Sequence, residues 1–126
     1  MHRLSQARRR MLKLLQSVLD RAHKGHRYVS DQEQYSLREH WTESLEGDCE
    51  DFALSVRKML KKHNIESDLV FCLTETGTGH LVVSVDGWIL DNRNVFVRRQ
   101  QYLPYTWIKL GKPDGRWYEI LEDKEP

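Results

Sequence analysis

The pair Asp86-Gly87 constrains this chain more tightly than any other two residues. Asp-Gly between two runs of strand formers favours the left-handed backbone of a two-residue hairpin turn. The flanking runs are His80-Leu81-Val82-Val83-Ser84-Val85 and Trp88-Ile89-Leu90-Asp91-Asn92. A two-residue turn pairs Val85 with Trp88, Ser84 with Ile89, Val83 with Leu90 and Val82 with Asp91. Directly opposed residues share a face, and faces alternate along a strand. His80, Val82 and Ser84 therefore share a face with Ile89 and Asp91. Asp91 becomes the diagonal neighbour of His80, roughly 7–8 Å away at the backbone and within reach of its side chain. One residue more or fewer in the loop would separate the two onto opposite faces.

The period of the apolar residues differs before this hairpin. Leu4, Ala7, Met11, Leu14, Leu15, Val18, Leu19 and Ala22 recur at helical spacing and predict a helix over residues 3–24, ended by Lys24-Gly25. Residues 25–46 read as a polar connection. A second helix is predicted over residues 49–63, with Phe52, Ala53, Val56, Met59 and Leu60 as its apolar stripe and Asn64 as its left-handed end. Strand-forming composition then predicts residues 68–73, 80–85, 88–92, 105–110 and 116–120 as strands. The fold class is α+β: a cysteine-bearing helix packed on an antiparallel sheet, with an N-terminal helix in front.

Cys49 stands at the start of the second helix, in Gly47-Asp48-Cys49-Glu50-Asp51-Phe52-Ala53. Asp48 suits an N-cap, and Asp51 three residues on can reach back toward it. A helix N-terminus favours the thiolate, the form that attacks a carbonyl. A cysteine there with nothing else nearby is more often a small buried residue. His80 and Asp91 change that balance, because a base and an orienting carboxylate are what a thiol nucleophile needs.

At 126 residues the chain is long enough for one compact domain, with the N-terminal helix over 1–25 and the remaining core over 26–126. Twenty Lys and Arg balance nineteen Asp and Glu, which gives no overall pull toward nucleic acid, a membrane surface or an acidic substrate. Arg8-Arg9-Arg10 reads as a solvated helix surface rather than a nucleic-acid patch. Two cysteines, Cys49 and Cys72, match neither a zinc spacing nor a disulfide framework. His23, His26 and His40 fall at no spacing that closes a metal site. No stretch has the length of a membrane span and the start lacks the pattern of a secretory signal, so the expected location is the cytoplasm.

Three segments carry a family resemblance. Gly47-Asp48-Cys49-Glu50-Asp51-Phe52-Ala53, Gly79-His80-Leu81-Val82-Val83 and Ile89-Leu90-Asp91-Asn92, preceded by His40-Trp41-Thr42, resemble the bacterial transglutaminase-like cysteine proteinases of LapG type. The likeness spans roughly residues 30 to 95. It implies a papain/transglutaminase-like core and a protein or peptide substrate cleaved through a thioester. Cys49 would be the nucleophile, His80 the general base and acid, and Asp91 its orienting partner. The oxyanion would be held by the Cys49 backbone N–H and one upstream donor, with Trp41 and Gln34 as candidates.

The resemblance also implies a possible calcium ion held by Asp48, Glu50 and Asp51, hard oxygen ligands beside the thiol, with no other cofactor required. Family members of this type are exported and cut large surface adhesins. This chain lacks a recognisable export signal and has tight spacing between its three motifs, so that substrate does not carry over. The same three residues would also serve a transglutaminase or a glutamine deamidase, and the fold without catalysis would be a protein-binding module.

Overall fold

The computed structural model describes residues 5–25 and 47–120. Helix α1 runs Gln6–Lys24 and helix α2 runs Gly47–Lys62. Six strands follow: β1 Asp68–Leu73, β2 Gly79–Val85, β3 Trp88–Leu90, β4 Arg98–Arg99, β5 Thr106–Gly111 and β6 Trp117–Glu119. A short 3-10 turn over Gln100–Tyr102 leads out of β4. The strands form one antiparallel sheet in the order β4-β3-β2-β1-β5-β6.

Local chemistry sets the element ends. Ser5 caps α1, its hydroxyl accepting the Arg8 N–H at 3.1 Å, so the helix begins later than the expected residue 3. At the end of α2, Ile65 N–H donates to Leu60 O and Asn64 N–H to Lys61 O, with Asn64 at φ 61°. This paired bonding around a left-handed residue is the closing motif that Asn64 predicts, and Ile65 packs back on the core. Asp48 is not the N-cap that the sequence suggests. A cap has non-helical dihedrals, whereas the helix already includes Gly47 and Asp48.

The β2–β3 hairpin has the register read from Asp86-Gly87. Val85 faces Trp88, Ser84 faces Ile89 and Val83 faces Leu90. Asp86 and Gly87 lie at φ 52° and 82°, the paired positive values that a two-residue turn between twisted strands requires. Strand β3 stops at Leu90, two residues before the expected end. The Asp91 carboxylate accepts the Arg93 N–H at 3.0 Å and the Asp91 carbonyl accepts the Asn94 N–H at 3.2 Å, which turns the chain out of the ladder.

Alternation along the sheet gives it two apolar faces. Leu69, Phe71, Leu81, Val83, Val85 and Leu90 meet Leu15, Leu19, Phe52, Val56 and Leu60 from the helices. Val70, Val82, Ile89 and Leu103 form the opposite core with Tyr105, Trp107, Leu110 and Ile120. Each fully buried Leu or Val on these faces contributes about 1.5–3 kcal/mol through removal of its surface from water. Helix α2 packs directly on β2, and α1 packs on α2.

Helix α1 also fixes the loop that follows Asp91. The Gln16 amide donates to Val95 O at 2.9 Å and accepts the Val97 N–H at 3.0 Å. His23 Nε2 lies 2.8 Å from Asn94 O. A single helix face thus holds both ends of the segment 94–97. Among the described residues no helix is long and apolar enough to cross a membrane.

Candidate active site

Four segments converge at one end of the sheet. The first turn of α2 brings Cys49, the β1–β2 turn brings Thr74, Thr76 and Thr78, and the start of β2 brings His80. Asn92 and Arg93 come from the loop after β3. Together they line a cleft of about 200 Å³. Cys49 and His80 are buried in the fold and both border this cleft. They reach it from different layers, Cys49 from the helical side and His80 from the end of a central strand.

The β1–β2 turn is held closed by its own hydroxyls. Thr74 Oγ1 accepts the N–H groups of Thr76 and Thr78 at 3.4 and 3.3 Å, and the Thr74 N–H donates to Thr78 O at 2.9 Å. Gly77, at φ 81°, supplies the left-handed step that lets the turn close. Such bonding fixes the approach of Gly79 and His80 to the cleft.

His80 Nε2 lies 2.6 Å from Asp91 Oδ1. Asp91 is 1% exposed, and its four acceptor directions are filled. Oδ1 also accepts the Arg93 N–H at 3.0 Å, and Oδ2 accepts the Tyr105 hydroxyl at 2.6 Å and the Asn94 side-chain amide at 2.9 Å. Burial alone would push the Asp91 carboxyl up. The hydrogen bond and charge of His80, with the Arg93 N–H and the Tyr105 hydroxyl, outweigh it and hold the group below the ordinary aspartate value. An ionised carboxylate only accepts, so Nε2 must carry a proton. Nδ1 is then the ring nitrogen left to act as acceptor.

A second layer supports the carboxylate. Arg93 makes two bonds to Glu75, at 2.8 and 3.0 Å, and a third to the Tyr105 hydroxyl at 3.3 Å. The Glu75 carboxyl is pulled down to about 2, chiefly by that bond to Arg93. Burial, then the bond to Asp91, push the Tyr105 hydroxyl well above the ordinary tyrosine value, so it stays a donor. The Tyr105 ring packs edge-on against the His80 ring, with centroids 5.6 Å apart. Sequence reading missed Tyr105, Asn94 and Arg93. Tyr105 is 14 residues from Asp91 and enters from just before β5, on the far side of β1, so no local pattern announces it.

Cys72 faces His80 across β1 and β2, and its thiol donates to His80 O at 3.5 Å. Burial pushes that thiol far above the ordinary cysteine value, and the nearby Asp91 adds to the effect. Neither cysteine forms a disulfide.

Of the other sequence candidates, Trp41 and Gln34 lie outside the described residues, as does the side chain of Asp48. Glu50 is buried and Asp51 half-buried on the first turn of α2. Among the described residues no group of three acidic, histidine or cysteine side chains comes together as a metal site. The expected calcium ligands Asp48, Glu50 and Asp51 include one side chain, that of Asp48, outside the described residues.

Residues 1–125 match the family model described as bacterial transglutaminase-like cysteine proteinase, BTLCP. No curated protein and no solved structure matches the chain.

Proposed function

The chain belongs to the bacterial transglutaminase-like cysteine proteinases, and from that premise we propose that it hydrolyses a peptide bond of a protein substrate with Cys49, His80 and Asp91. The observation that carries the reading is the 2.6 Å bond from His80 Nε2 to Asp91, made by a histidine that shares its cleft with Cys49. It supports His80 Nδ1 as the base for the Cys49 thiol.

In this reaction His80 takes the thiol proton, and Cys49 Sγ bonds to the scissile carbonyl carbon. The carbonyl oxygen becomes an oxyanion, which the Cys49 backbone N–H can stabilise together with a second donor. Collapse breaks the C–N bond, and the imidazolium gives its proton to the leaving amine. A thioester remains. His80 then takes a proton from water, the hydroxide adds to the thioester carbonyl, and Cys49 leaves as the acid product is released. Asp91 holds the ring in the tautomer that serves both halves and stabilises the imidazolium between them.

The test is the rate of Cys49 alkylation by iodoacetamide against pH, read by peptide mass, in the wild type and His80→Ala. An acid-shifted Cys49 profile that reverts in His80→Ala is expected. A Cys49 that titrates near ~8.5 in both proteins would overturn the reading. With an unfolded protein as substrate, product mass identifies the leaving group and the acyl acceptor: chain cleavage for peptide hydrolysis, ammonia replaced by water for deamidation, ammonia replaced by an amine for transamidation.

A further inference from the structure

A second cleft, of about 450 Å³, lies at the opposite end of the β2–β3 hairpin from the candidate active site, lined by Ala7, Arg8, Met11, Asp86, Trp88 and Arg99. Strand β2 separates the two ends. His80 and Val85 are five residues apart, about 16 Å along an extended strand.

The structure brings together two cations that are far apart in sequence. Arg99 faces Trp88 across β3 and β4, and its guanidinium lies 4.2 Å from the centre of the indole ring. Nη1 bonds the Asp86 carbonyl at 3.4 Å. Arg99 is thus preset over an aromatic face by cation–π attraction. Arg8 approaches from α1. Neither arginine forms an ion pair with a described carboxylate, including Asp86 at the cleft's rim.

The placement of Arg8 carries a small electrostatic penalty at this exposed helix start. Arg8, Arg9 and Arg10 occupy the first turns of α1, where no acidic residue is present. The positive end of the helix dipole disfavours cations there. An anionic partner would remove that penalty. The cleft also has apolar walls in Ala7, Met11 and Trp88, while the guanidinium already covers a face of the indole that a nucleic-acid base would need. Carboxylates flanked by apolar side chains fit both features, because guanidinium forks pair with carboxylates.

We propose that this cleft docks an acidic segment of a protein partner, with Arg8 and Arg99 pairing its carboxylates and Met11 and Trp88 contacting its apolar side chains. Docking is independent of turnover and stands apart from the proteinase chemistry.

The test is fluorescence anisotropy of the full chain with a labelled peptide of alternating glutamate and leucine, against a glutamine–leucine peptide and a thymidine oligonucleotide. The acidic peptide should bind more tightly than either, and added salt should weaken it. Arg8→Glu and Arg99→Gln should each weaken it roughly threefold to tenfold, and Arg9→Glu distinctly less. Arg8→Glu places an acid at a helix start, so it should fold normally, which circular dichroism checks. No acidic-peptide binding, equal loss from Arg9→Glu, or tighter binding of the oligonucleotide would each overturn the proposal.

Discussion

Asp91 Oδ2 receives the Tyr105 hydroxyl at 2.6 Å, the same length as the His80 bond to Oδ1, so one buried carboxylate is clamped between β2 and the residue just before β5. The clamp matters because a carboxylate that turns about its own axis cannot hold an imidazole in one tautomer. Tyr105 is therefore a positioning residue for the candidate triad.

Replacing Tyr105 with Phe keeps the ring packed on His80 and removes one donor. The loss should destabilise the fold by about 1.5–3 kcal/mol, as expected for a hydrogen bond to a charged acceptor. Urea unfolding measures it. A purely structural tyrosine would leave the Cys49 alkylation profile in place, whereas the clamp predicts that Tyr105→Phe moves it toward that of an ordinary thiol.

Asp91→Asn should act more severely on chemistry. An amide can offer its NH₂ group to Nε2 and stabilise the wrong tautomer. Turnover should fall roughly 100-fold to 10,000-fold with a much smaller change in KM. Steady-state kinetics on any cleaved protein substrate tests this, and an unchanged kcat would remove Asp91 from the mechanism.

The same residue gives a pH signature. Its carboxyl lies lower in the folded chain than the ordinary aspartate value of about 3.9, so the folded state favours the charged form. That stabilisation is complete above the unfolded value and is lost as pH falls through the folded one. Asp91→Asn is the control below about pH 4, where only the wild type has this carboxylate to protonate. Below about pH 4 the wild type should lose stability more steeply. Thermal midpoints against pH decide the matter, since the other carboxylates titrate in both proteins.

Legibility followed the range of the interaction that fixes each feature. Asp86 and Gly87 are adjacent, and their turn alone set the β2–β3 register that brings His80 beside Asp91. The end of β3 was misjudged because Asp91 and Asn92 continue the strand pattern, while the turn depends on where the Asp91 carboxylate sends its hydrogen bonds. Strand β4 is two arginines, a composition with no strand signal, and it exists because β3 offers an edge. Asp48 looked like a cap because a cap and a first-turn aspartate share the same composition. Arg8 and Arg99 illustrate the long-range limit, since nothing local connects residues 91 positions apart.

Helix α1 supplies the fourth prediction. Gln16 bonds Val95 and Val97, and through that loop it acts on Asn94, which holds Asp91 Oδ2. Gln16→Ala should cost about 1–2 kcal/mol by leaving two backbone groups without their partner. The cleft lies beyond contact with Gln16, yet hydrogen exchange at residues 93–97 should quicken, while exchange in β1 stays slow.

Gly87 links the hairpin to the chemistry most directly. At φ 82° an alanine is strained by about 1–2 kcal/mol, and the space where its Cβ would sit has Arg99 Nη1 at 3.4 Å. Gly87→Ala should lower the thermal midpoint without abolishing folding, because the two apolar faces of the sheet resist a one-residue slip. If the register holds, His80 and Asp91 remain bonded and the Cys49 alkylation profile is unchanged in the folded protein. If the hairpin slips, every β3 side chain changes face, the His80–Asp91 bond is lost and the profile becomes that of His80→Ala. Measuring midpoint and profile on one sample separates a strained turn from a displaced strand.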